Sequence, residues 1–296
     1  MRCSSRSYRH CQRSSLWVKV LAHQREDQKI FEGLIRALDK KKAFAASREQ
    51  LILDIGRFFL GTPYEVGPLE KEGAERLVVN LRGFDCTTFI ENAAALAWHI
   101  RLKGKSFEAF RKLLQKIRYR QGRLKGYPSR LHYFSDWIHD NRKKGIVRDV
   151  TAEIGGKPLR KAINFMTTHP DLYPPLRDTA TLRKIESVER AINRRSFFFI
   201  PKKAVKRLEQ RIHDGDLIGI TTNTEGLDVQ HVGLAARVKN RIYLLHASRR
   251  EGKVILSGQT LHRYLMQSRT RTGIMVARVS KTHRAEGIGS VKAAQG

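Results

Sequence analysis

The 296-residue chain is short of acid, of cysteine and of long apolar runs. It has 28 Asp and Glu against 58 Lys and Arg, a formal net charge of +30 at pH 7. Such an excess predicts attraction to polyanions such as nucleic acid, anionic lipid or acidic wall polymers, and says nothing about fold. The charge is spread out. Residues 101–130 hold eleven Lys/Arg against Glu108 alone, and residues 183–211 hold ten against three acids. No zinc-finger spacing, basic zipper or RNA-binding aromatic signature accompanies it, which argues against sequence-specific nucleic-acid recognition. The three cysteines are Cys3, Cys11 and Cys86. An odd count without a Cys-x-x-Cys pair speaks against a disulfide framework and a zinc site, so no metal or organic cofactor is expected. No run approaches the roughly 18 apolar residues of a membrane span. The basic, Ser-rich start, "MRCSSRSYRHCQRSSLWVKVLAHQRED", lacks the roughly 7–15-residue apolar core of a secretory signal, so no export signal is visible.

What is present suits a soluble globular protein: 41% apolar and 29% charged residues. Residues 1–45 read as a basic extension, partly helical from Gln28 to Lys42. Residues 46–282 read as the folded domain and 283–296 as a flexible tail. In the domain, "SREQLILDIGRFFLGTPY" predicts a helix capped by Ser47 and stopped by Gly61 and Pro63. A loop and a short strand, "RLVVNL", follow. Asp85 is a good N-cap, and Cys86, Phe89, Ile90, Ala93, Ala94, Ala97 and Ile100 make one apolar helical face over 86–101. Further helices are expected over 107–119, 178–195 and 201–211, and at the end of "GYPSRLHYFSDWIHDNRKKG". From residue 213 the period changes to that of strands: "HDGDLIGITT", "LDVQHVGLAARV", "RIYLLHAS" and "GIMVARV". Helices first and antiparallel strands after indicate an α+β fold.

Cys86 therefore begins a helix, where the positive end of the dipole lowers a thiol's pKa and a neighbouring histidine would lower it further. Two histidines in the strand region can be placed. With Lys239 and Asn240 as a two-residue hairpin loop, His231 faces Ser248 and His246 faces Gly233. The histidines then lie diagonally on one face, roughly 7–8 Å apart at the backbone. One imidazole could orient the other. Spacing alone leaves open a buried, inert thiol and two ordinary strand histidines.

The segments "LGTPYEVG", "FDCTTFIENAAALA", "GYPSRLHYFSDWI", "DGDLIGITTNTEGLDVQHVGLA" and "LLHAS" together resemble the N-acetylmuramoyl-L-alanine amidase-like family. They are also similar to the wider NlpC-type, papain-like superfamily of cell-wall cysteine peptidases. The resemblance spans roughly residues 48–280. It implies a papain-like fold with the nucleophile helix packed on an antiparallel sheet, and a Cys86–His231–His246 triad. Cys86 would attack an amide carbonyl, His231 would act as base and then acid, and His246 would orient His231. Tyr64 would line the site and assist the oxyanion. Asp85 would be a cap first and a substrate contact second, and Arg130, His132, Tyr133 and Asp228 would be substrate-binding candidates. The implied substrate is a peptidoglycan or muropeptide amide, cut at muramoyl–L-alanine or at γ-D-glutamyl–diamino acid, in the periplasm or outside the cell. An acyltransferase, or an inactive fold binding anionic polymer, is the alternative.

Overall fold

The computed structural model describes residues 22–38, 47–70, 73–104 and 106–280. The leader with Cys3 and Cys11, the expected helix end near Lys42 and the tail 283–296 lie outside the described residues. Five helices come first: α1 (residues 22–38), α2 (Arg48–Phe58), α3 (Cys86–Arg101), α4 (Phe107–Arg118) and α5 (Phe134–Lys143). A mixed section follows, with β1 (Val147–Asp149), α6 (Thr151–Ile154), β2 (Lys157–Leu159), α7 (Phe165–Thr168), α8 (Thr179–Asn193), β3 (Phe197–Pro201) and α9 (Lys202–Leu208). The strand-rich end holds β4 (Leu217–Thr222), β5 (Val229–Val238), β6 (Arg241–Ser248), β7 (Lys253–Thr260), α10 (Leu261–Met266) and β8 (Arg271–Val279). The strands form one antiparallel sheet in the order β2-β3-β8-β4-β5-β6-β7, with β1 also on β8. The architecture is α+β.

Two corrections concern the elements. The expected strand in "RLVVNL" does not form. Its carbonyls are taken by side chains instead: Tyr119 donates to the carbonyl of Arg76 and Arg118 to that of Val78. Sequence reading also misses β7, β3 and the short β1 and β2. Residues 22–38 form α1, which includes the expected helix from Gln28 as far as residue 38 and starts earlier, with Phe31, Leu34 and Leu38 buried. The Phe31 ring stacks 5.6 Å from Phe110 of α4, and Asp27 accepts from the backbone of Leu81 at 2.8 Å.

The sheet is buried on both faces, and its side chains alternate between them as the pleat requires. Leu217, Leu234, Leu245 and Ala277 join one apolar cluster with α2, α3 and α4. Ile218, Ala235, Leu244 and Val276 join another with α9 and α10. Helix α3 is central: it packs against α2, α4, β5 and β6, and all its residues from Thr88 to Ile100 are buried. Its four alanines let neighbouring backbones approach closely. Its one buried carboxylate, Glu91, is paired at 2.6 Å with the fully buried Arg118 of α4. That pair ties the helix that Cys86 begins to its neighbour.

Candidate active site

Asp85 caps α3 as the sequence predicts. Its carboxylate accepts from the backbone N–H of Thr88 at 2.7 Å, and the Thr88 hydroxyl oxygen accepts in return from the backbone N–H of Asp85. This capping box fixes the first turn, and Cys86 is its first residue. The thiol is half-buried. Burial, and then the Asp85 charge, push its pKa up to about 11, although bonds from the Val232 backbone and from the Thr87 side chain and backbone pull it down. The depressed thiol expected from the helix terminus is thus not what its surroundings give. At neutral pH Cys86 is a protonated thiol.

The β5–β6 hairpin has the anticipated register. Lys239 and Asn240 both have positive φ, 44° and 65°, the pattern of a two-residue primed turn, and Val238 pairs with Arg241. Leu234 pairs with Leu245, which carries His246 to Gly233. A Cβ on Gly233 would stand 2.9 Å from Cβ of His246, so only glycine leaves room for this histidine. The two imidazoles meet edge to face, with His231 Nε2 2.7 Å from His246 Nδ1. That contact leaves Nδ1 of His231 as its other functional nitrogen.

A small cavity of about 80 Å³ brings Cys86 and His231 together, with Ile90, His132, Phe134 and Trp137 among its lining residues. Both histidines of the hairpin are neutral. Burial lowers His231 to about 3, with help from the charges of His246 and Arg271. Burial and Arg271 lower His246 to about 4. Tyr64 is on a loop strapped to β7, its backbone N–H donating to Gly252 at 2.8 Å. Burial, with the nearby Cys86 and Asp85, raises its phenol to about 12, so it stays a proton donor.

The other sequence candidates divide. His132 lines the cavity, and its Nε2 donates to the carbonyl of Tyr127 at 3.0 Å. Arg130 does not turn to the cavity's lining; its guanidinium is held by Glu70 at 2.7 Å, by Glu75 at 3.7 Å and by the carbonyl of Leu69. Tyr133 is buried, donating to Glu189 at 2.7 Å while accepting from the N–H of Met166. Asp228 accepts from the backbone N–H groups of Ser135 and Val229, both at 2.7 Å. Arg130 thus ties its segment to the 69–75 loop, Tyr133 links to α8, and Asp228 links the start of α5 to that of β5.

Two residues escaped sequence reading. Tyr264 of α10 lies 5.7 Å from the His246 ring and 6.5 Å from that of His231. The Arg271 guanidinium sits 3.8 Å over the Tyr264 ring and also donates to its carbonyl. Arg271 is one of 58 basic residues and Tyr264 follows the unrecognised β7, so no local pattern marks either. Among the described residues no cluster of three or more His, Cys, Asp or Glu could hold a metal, and no helix is long and apolar enough to cross a membrane.

This arrangement sits on a known scaffold. A Bacteroides uniformis protein named as an N-acetylmuramoyl-L-alanine amidase superposes with a TM-score of 0.75 at 37% identity, over 79% of this chain and 99% of that one. A Bacteroides fragilis protein named as a candidate xylanase gives a TM-score of 0.71 at 38% identity, over 76% and 99%. A Legionella pneumophila protein at 24% identity shares the fold, with a TM-score of 0.68 over 88% and 96%. No curated protein sequence matches the chain. Residues 54–274 match the family model described as AmiA-like, N-acetylmuramoyl-L-alanine amidase-like. The chain belongs to the N-acetylmuramoyl-L-alanine amidase-like family.

Proposed function

We propose that the protein is a papain-like, NlpC-type cysteine amidase that cleaves an amide of peptidoglycan stem peptides, between muramic acid and L-alanine. The observation that carries this reading is the shared cavity of Cys86 and His231, with His231 bonded in turn to His246. A nucleophile beside a base that a third group orients is the pattern of covalent acyl transfer. The name of the B. uniformis relative favours the muramoyl–L-alanine bond over the γ-D-glutamyl bond.

The resting site is a neutral thiol beside a neutral imidazole, so attack is by general-base catalysis. His231 Nδ1 takes the Cys86 proton as Sγ adds to the substrate carbonyl. The developing oxyanion is met by the backbone N–H of Cys86, at the start of α3, and by the Tyr64 hydroxyl. The C–N bond breaks as His231 returns the proton to the leaving amine, and a thioester remains. Water, losing a proton to His231, then releases the acid and restores the thiol. The chain's positive charge draws it to acidic wall polymers where they lie, in the periplasm or outside the cell.

Glycoside hydrolysis, which the name of the B. fragilis relative would suggest, needs two carboxylates flanking the bond. Asp85 and Asp228, the candidate site's carboxylates, are both committed to backbone N–H groups. The deciding test is digestion of purified sacculi and muropeptides by the wild type and by Cys86→Ala, read by mass spectrometry. Free L-alanyl stem peptides from the wild type alone are expected. Equal product from both proteins, or cut glycan, would overturn the proposal.

A further inference from the structure

The segment "RLVVNL", residues 76–81, is strand-like in pattern yet joins no sheet. Leu77, Val79 and Leu81 pack into the core cluster of α2, α3 and α4, so every second side chain turns inward, the period of an extended chain. In such a chain the backbone groups of successive residues also alternate between two edges. The carbonyls of Arg76 and Val78 lie on one edge, where Tyr119 and Arg118 take them. Leu77, Val79 and Leu81 belong to the other. Asp27 of α1 takes the Leu81 N–H there at 2.8 Å. The backbone N–H and C=O groups of Leu77 and Val79 have no hydrogen-bond partner among the described residues.

A groove of about 520 Å³ lies along this segment, within the range of about 300–1,000 Å³ for ligand sites. All five residues from Arg76 to Asn80 line it. One face of side chains would supply only alternate residues, so the unbroken run makes the backbone edge part of the wall. Pro68 and Phe107 add apolar surface. The lining acids, Asp27 and Glu65, are spent. Asp27 is 2% exposed and holds Arg82 as well as the Leu81 N–H, and Glu65 accepts from Asn80. Arg76 is exposed and has no acidic partner among the described residues. The groove therefore offers a short, unpaired strand edge under positive charge.

We propose that this groove binds an acidic, extended segment of a partner protein, which adds beside residues 77–79 as a further strand. The N–H groups of Leu77 and Val79 donate to its carbonyls, their own carbonyls accept from its N–H groups, and its carboxylates meet Arg76 and Arg111. The net charge of +30 selects this occupant over a second copy, which would bring like charge to a basic groove. The groove shares no lining residue with the Cys86 cavity, so it stands or falls apart from the amidase chemistry.

A fluorescein-labelled peptide, Asp-Val-Thr-Val-Asp-Val-Glu, titrated into the full chain and read by anisotropy, tests it. Two isomers, N-methylated at the odd or at the even positions, each lose the donors of one edge. One should bind like the parent and the other about 10-fold or more weakly, because a strand pairs through one edge only. Arg76→Glu should weaken the parent peptide about 3–10-fold, while Lys206→Glu, exposed on α9, should leave it unchanged. Hydrogen exchange of the Leu77 and Val79 amides should slow when the peptide is bound. No binding of the parent, two isomers that bind alike, or unchanged exchange at both amides overturns the proposal. Equal weakening by Arg76→Glu and Lys206→Glu would reduce the effect to general charge attraction and also overturn it. Displacement of the peptide by muropeptides or oligothymidylate, or a dimer that the peptide dissociates, would give the groove to another occupant.

Discussion

His231 Nε2 and His246 Nδ1 are 2.7 Å apart, and this single contact sets the proton inventory of the site. For His231 Nδ1 to accept the thiol proton, Nε2 must carry the hydrogen, and His246 must receive it on an unprotonated Nδ1. In the proposed mechanism His246 is therefore a positioning residue whose value is the tautomer it enforces. His246→Leu should lower kcat on muropeptides by on the order of 10²–10⁴-fold, the range for losing an orienting partner. His246→Asn, which can accept through its amide oxygen, should recover part of that loss. Equal rates for both variants would show that only packing matters.

Acid behaviour follows from the depressed histidines. An ordinary imidazole titrates at about 6.5. His231 and His246 are held to about 3 and about 4 by burial first, with Arg271 acting on both. The charged or titratable groups facing the pair are Arg271, Tyr264 and Cys86. Values of kcat/KM should then stay level from about pH 8 to about pH 5, and Arg271→Gln should move the acid limb upward. An acid limb near 6.5 in the wild type would contradict this. The same groups bind more protons unfolded than folded below about 6.5, so their contribution to stability is complete above that pH and falls as the pH drops toward about 3 to 4. Urea unfolding at about pH 7 and about pH 5 measures the loss.

Thiol reactivity separates the general-base site from a preformed ion pair. With its pKa pushed to about 11, Cys86 should alkylate with iodoacetamide only slowly at neutral pH and rise steeply above about pH 9. Cys3 and Cys11 serve as internal references. Asp85→Asn keeps a good N-cap and removes the negative charge that opposes the thiolate. It should shift the Cys86 labelling curve to lower pH with little change in melting temperature. An unmoved curve would remove Asp85 from the account.

The sequence made much of this site legible because its parts are local. Asp85–Cys86 announces a helix start, and the Lys239–Asn240 turn sets a register that carries His246 to Gly233. What stayed hidden depends on chain segments that meet only in the fold. Arg130, Tyr133 and Asp228 carry functional-looking groups, but Glu70, Glu189 and the Ser135 backbone satisfy them from 60, 56 and 93 positions away. Trp137 and Tyr264 gain their meaning from α5 and α10 closing on the sheet, and neither helix's period says what it will face. The strand "RLVVNL" does not form, and the Arg118 and Tyr119 side chains, at the end of α4, occupy two of its carbonyls.

Gly233 is the close-approach position of the hairpin. A Cβ there would stand 2.9 Å from His246 Cβ, Leu244 Cδ1 and the Leu245 carbonyl oxygen, and the last is backbone that cannot rotate away. Gly233→Ala should cost about 1–3 kcal/mol, the usual range for overpacking a tight core, and lower activity by displacing His246. Denaturant melts and kcat report the two effects separately. Full activity with unchanged stability would mean that the hairpin yields more easily than this packing implies.

The Glu91–Arg118 pair fixes the helix that Cys86 begins against α4. Both side chains are 1% exposed and 2.6 Å apart, and burial raises the Glu91 pKa despite its partner. Removing one charge strands the other in a low-dielectric interior, at about 3–5 kcal/mol. Replacing both by apolar residues of similar volume removes that penalty. Arg118→Met and Glu91→Leu should each lower the melting temperature strongly, and the double variant should recover most of it. If the pair also positions Cys86, the rescued double variant will be stable yet slower on muropeptides than the wild type. A double variant as unstable as the singles would instead assign the stability to Arg118's further bond to the Val78 carbonyl, which neither apolar residue can replace.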